Sequence, residues 1–218
     1  MQAQETLREI IVAKLRSLDD SKSRPLQDGT LLIRKNPPRR DKMFSESYLH
    51  EIYAGLREDQ IRQLETLIGR NLPPDLRKFY EQANGMSLFA GSLSIQGLRQ
   101  DYSRDPSVRL PISLEYGNVL DTPAGQAKED LDQIRFGFFS AGDGAEIAIK
   151  LDGRRTIYAF PRYELKPILF EWSNLESMLF SEIDRMIALF KELKGAVDPL
   201  NPLSPPWAPR GQVGLPPL

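Results

Sequence analysis

The chain has 218 residues, 40% hydrophobic and 27% charged, with a formal net charge of −1, values that fit one globular domain with decorations and give no overall electrostatic pull towards nucleic acid or an anionic membrane. The lack of cysteine excludes disulfides, thiolate nucleophiles, iron–sulfur clusters and cysteine-ligated zinc, and the lone histidine, His50, excludes a multi-histidine metal site. The opening MQAQETLREI carries two glutamates and no apolar run, so it does not read as a signal peptide, and no stretch approaches the roughly 18 apolar residues of a membrane span. A cytoplasmic chain with no membrane partner is expected.

Leu7, Ile11, Leu15 and Leu18 recur at helical spacing and predict an amphipathic helix over residues 5–18. From Ser21 to Lys42 the pattern breaks at Pro25, Asp28-Gly29 and Pro37-Pro38 around a short Leu31-Leu32-Ile33 run, which reads as a linker-like arm with a possible edge strand. Its end collects Arg34, Lys35, Arg39, Arg40 and Lys42 against Asp41. No aromatic residue interleaves these charges, so a solvated loop is expected and nucleic acid is not an expected partner.

A second helix begins near Arg57, with Glu58 and Asp59 favourable to its first turn, Ile61, Leu64, Leu67 and Ile68 as its apolar face, and Gly69 as its stop. Leu72-Pro73-Pro74-Asp75 starts a third, carrying Leu76, Phe79, Tyr80 and Ala83, with Asn84-Gly85 expected as its cap. Leu93 and Ile95 then alternate with polar residues as in a strand. A long irregular stretch runs from Arg99 to Gln133, and loops of that length are often functional. Beyond Phe136, three strand-like runs joined at Gly142-Asp143-Gly144 and Asp152-Gly153 predict an antiparallel meander with one buried face. The last helix is expected to start at Ser173, with Glu176 completing a capping box, and to close at Gly195. The proline-rich remainder reads as disordered, or as folding Trp207 back over an apolar groove, in preference to a polyproline ligand.

The helix E-D-Q-I-R-Q-L-E, the Leu72-Pro73 break, the helix ending Phe79-Tyr80 and the pair Asn84-Gly85 resemble the opening of the SUKH domain. Phe136-Gly137, the glycine-aspartate-glycine turn, the Asp152-Gly153 hairpin and the helix led by Trp172 follow in the family's order, so the resemblance covers roughly residues 48–190. It implies an α+β domain with a central antiparallel sheet flanked by helices. The expected division is an N-terminal helix and basic arm over 1–45, the SUKH-like domain over 46–195 and a proline-rich tail over 196–218. It also implies a binding role without a catalytic centre: SUKH proteins are mostly immunity partners of secreted bacterial toxins, many of them nucleases, and yeast cell-wall-assembly regulators are relatives. A cognate toxin is the expected partner; a regulatory or scaffolding module is the alternative.

No cofactor, metal or catalytic residue is expected. Glycines at turns are explained by backbone geometry; Asp143, Glu146 and Asp152 flank hairpin turns, where aspartate bonds to its own backbone. His50 has no evident serine or carboxylate partner and reads as a surface or packing residue. The partner-binding candidates lie in the acidic stretch, namely Glu115, Asp121, Glu129, Asp130 and Asp132, with Tyr102 and Tyr116 as aromatic anchors. An acidic surface can mimic the phosphates that a nuclease toxin binds, and tyrosine is enriched at binding hot spots.

Overall fold

The computed structural model describes residues 5–18, 23–35, 47–101, 109–115, 118, 132–162, 167–195, 197 and 202–208. Helix α1 (Leu7–Arg16) opens on a reciprocal cap: the Thr6 hydroxyl accepts from the Glu9 N–H, and the Glu9 carboxylate accepts from the Thr6 N–H at 2.7 Å. It buries Ile11 and Leu15. Two short strands follow, β1 (Ser23–Pro25) and β2 (Leu31–Lys35), and then β3 (Tyr48–Ala54). Helices α2 (Glu58–Ile68) and α3 (Pro74–Gln82) form a corner, and six strands complete the sheet: β4 (Ala83–Leu88), β5 (Leu93–Ile95), β6 (Gln133–Phe139), β7 (Ala145–Lys150), β8 (Ile157–Pro161) and β9 (Phe170–Trp172). The last helix is α4 (Leu175–Glu192).

The nine strands among the described residues pair in chain order, each antiparallel to the next, which gives the α+β architecture expected. Alternate residues of the strands, among them Ile33, Ile52, Met86, Leu93, Phe139, Ile147, Ile157 and Trp172, join Ile11, Leu15, Leu64, Phe79, Ile183 and Met186 of the helices in one core. Helix α1 packs on α4 and α3, and Lys14 meets Asp184 of α4 at 2.7 Å. No described helix is long and apolar enough to cross a membrane.

Several local expectations change. The Leu31-Leu32-Ile33 run is not at the edge: β2 is paired on both sides and all three residues are buried. The basic residues Arg39, Arg40 and Lys42 lie outside the described residues. Strands β3 and β4 were not predicted, because both of their faces are covered and the period-two signal is lost. The meander likewise buries both faces, with Glu146 and Ala148 buried as well as Ile147. Leu67 stands partly exposed on the outer side of α2. Helix α4 is capped one residue later than expected, by Asn174 and Ser177 reciprocally.

Asn84-Gly85 does not cap α3. The helix ends at Ala83 in extended conformation, and the pair belongs to β4. The Asn84 amide instead grips the backbone beyond β5, donating to the Leu98 carbonyl at 2.8 Å and accepting from the Leu98 N–H at 2.7 Å. Gly85 sits at φ +85° with the Ile95 carbonyl 2.5 Å from where a Cβ would be, so only glycine fits.

Candidate partner-binding surfaces

Of the acidic candidates, Glu115 and Asp132 fall within the described residues; Tyr102, Tyr116, Asp121, Glu129 and Asp130 lie outside them. Asp132 is exposed just before β6, and its carbonyl accepts from the Leu151 N–H at 2.7 Å, which sets it beside the β7–β8 hairpin. Glu115 is half-buried, and Asn118 is tied to β6 through the N–H and carbonyl of Arg135. Asp132 therefore borders the start of β6.

The sheet face away from the core carries a cross-strand row: Glu51, Ser87, Ser94, Phe138, Glu146 and Phe160 lie opposite one another from β3 to β8. Its charges are committed internally. Arg135 meets Glu146 at 2.9 Å and lies over the Phe160 ring, while Arg109 meets Glu51 at 3.1 Å. Tyr53 donates to Glu51 at 3.0 Å, and burial beside that carboxylate holds its hydroxyl far above the usual phenol range. The carboxylates of Asp143, Glu146 and Asp152 are dispersed. Asp143 stands exposed in the β6–β7 turn, Asp152 accepts from the Arg154 N–H in the β7–β8 turn, and Glu146 is spent on Arg135.

His50 is fully buried on β3. Its Nδ1 accepts from the Phe89 N–H at 3.2 Å and its ring meets Phe89 edge-on at 4.6 Å. Desolvation, aided by nearby Arg34, pushes its pKa down to about 3. A neutral, packed imidazole of this kind is structural.

One open concave feature among the described residues is a groove of about 550 Å³ between the α2–α3 corner and the β7–β8 hairpin. Leu72, Pro73 and Pro74 form one wall, and Ile149, Leu151 and Gly153 the other, with Lys150, Arg154 and Arg155 along the rim. The corner is rigid for a visible reason: Glu65 of α2 accepts from the Leu72 N–H at 3.0 Å and from Arg77 of α3 at 3.1 Å. Arg155 pairs with Asp75 across one end of the groove, beyond which lies a more polar depression of about 410 Å³. Leu151 is partly exposed and the Arg154 side chain largely so.

A model of the SMI1 / KNR4 family (SUKH-1) matches residues 55–181, more than half of the chain. The chain belongs to the SUKH-1 family. No curated protein matches it at a significant level. The SUKH-1 segment includes both walls of the groove, so Leu72-Pro73 and Gly153, distant in sequence, meet in one surface. That juxtaposition was not legible beforehand, since each pair reads locally as helix or turn punctuation. The signal that could have pointed to it was Leu151, an apolar residue adjoining a polar turn.

Proposed function

We propose that this SUKH-1 chain is a non-catalytic binding protein that neutralises a cognate bacterial toxin. The observation that carries the reading is the groove: an apolar slot walled by the family's own segments, buttressed by Glu65 and Arg77, and rimmed by exposed guanidinium groups. Apolar concavities with a few polar groups at the rim are what protein and peptide partners fill. Asp132 stands close to the hairpin wall, and together with Glu115, Asp121, Glu129 and Asp130 it would steer a basic toxin cleft towards the domain. Tyr102 and Tyr116 are the proposed aromatic anchors of that contact.

The test begins with recovery of the tagged chain's partner from its host, followed by co-expression of the two. Expression of the partner domain alone is expected to arrest growth, and the chain to restore it. The double variant Leu151→Asp with Arg154→Glu is expected to weaken binding by roughly 100-fold, the scale of a lost hot spot. Its thermal unfolding should be unchanged, because both side chains are exposed. Reversing the five acidic residues to lysine should slow association by about ten-fold at low salt. A partner whose expression is harmless would refute toxin neutralisation, and full binding by the groove variant would remove the groove from the interface.

A further inference from the structure

Residues 202–208 lie beyond the segment the family model matches, yet they are seated on the body of the domain. Leu203 is 1% exposed, its N–H donating to the Ser92 hydroxyl at 2.8 Å. The next carbonyl, of Ser204, accepts from Arg185 Nη1 at 2.6 Å. Pro205 to Ala208 make a turn, and the Trp207 ring meets Phe139 edge-on at 5.3 Å. The receiving groups are themselves held in place. The Ser92 hydroxyl donates to the Phe89 carbonyl at 2.6 Å, leaving its lone pair for an incoming amide. Glu182, almost wholly buried, grips Arg185 through Nε and Nη2 at 2.9 and 2.7 Å, which aims Nη1 at the strap.

We propose that the surface formed by Ser92, Phe139, Glu182 and Arg185 is a docking site for proline-rich segments with a leucine and, four residues on, an aromatic, and that Pro202–Ala208 is its displaceable resident. Two features support recognition over simple chain packing. Both polar contacts go to the strap's backbone, one N–H and one carbonyl, so any segment with the same anchors can satisfy them. Pro202, Pro205 and Pro206 carry no N–H, so the strap has few donors to satisfy and is pre-ordered for binding. Among the described residues, the strap's own bonds, apart from one turn, are to the domain. This site is separate from the groove and does not depend on the groove's partner being a toxin.

The experiment uses the full chain. A fluorescein-labelled peptide with the sequence of residues 199–210 is titrated into the parent and into a Leu203→Ser, Trp207→Ala double variant, whose own strap has lost its anchors. The short tether gives the resident strap a millimolar effective concentration, so the variant is expected to bind the peptide roughly ten-fold or more tighter than the parent. A peptide carrying both anchor substitutions should lose that binding. A folded variant that binds no better than the parent, or binds the anchorless peptide equally, overturns the proposal. If the variant does not fold, amide exchange in the parent decides. Leu203 N–H exchanging well before the Phe139 amide supports a displaceable strap; exchange of both only on global unfolding makes it a fixed part of the fold and overturns the proposal.

Discussion

Acidifying the protein from about pH 7.5 to about pH 5 is expected to cost it stability through His50. The imidazole is fully buried, its Nδ1 already accepts the Phe89 N–H, and no described group pairs with Nε2. Protonation would break that hydrogen bond and place a second cation near Arg34, so the folded-state pKa falls to about 3, against about 6.5 in the unfolded chain. The unfolded state therefore binds more protons throughout the window between those values, and stability falls as pH drops through it. The slope approaches about 1.4 kcal/mol per pH unit, so about 2 kcal/mol is lost by about pH 5. Glu182 works the other way: burial raises its pKa, so its protonation relieves the fold as pH falls. Comparison with His50→Asn separates the two, since the asparagine Oδ1 can replace Nδ1 as acceptor but does not titrate. The assay is urea unfolding at a series of pH values, with the imidazole followed by NMR; the chain has one histidine, so its resonance needs no assignment. If the variant keeps the parent's slope, or the folded imidazole titrates near its ordinary pKa, the reasoning fails.

Asn84→Ala removes both partners of the buried Leu98 backbone and is expected to destabilise by about 2–4 kcal/mol in urea unfolding. A loss below about 0.5 kcal/mol would mean that the clamp is dispensable. Glu146→Ala leaves the Arg135 guanidinium enclosed without its carboxylate, which should cost on the order of 3 kcal/mol, whereas Asp143→Ala in the exposed turn should stay within about 0.5. The reverse ranking in thermal unfolding would contradict the division between a structural and a solvated carboxylate.

Features governed by interactions within a few residues were readable in the sequence. Helix α2 stops at Gly69, which takes φ +68°, and Asp152 closes its turn on the Arg154 N–H, as local chemistry dictates. The α1, α2 and α3 stripes were legible because each helix buries one side. The alternating run of β7 marked a strand, although its polar positions are buried as well. The order of family segments carried the fold class; for the proline-rich tail the sequence allowed either disorder or a fold-back of Trp207, and the Trp207–Phe139 contact is the latter.

Tertiary structure decided the rest, because it depends on which distant segments meet. Strand β3 became the neighbour of both β2 and β4, and lost its alternation by being covered on both faces. Asn84-Gly85 changed from helix cap to strand clamp once Leu98 and Ile95 came within reach. The groove exists only where the Leu72–Asp75 corner faces the Ile149–Arg155 hairpin, and the strap site only where Ser92 and Arg185 converge on Leu203 and Ser204. Sequence by itself determined this protein's local punctuation and its family. Contacts between residues tens of positions apart, set by a long antiparallel meander, decided where the groove and the strap site form.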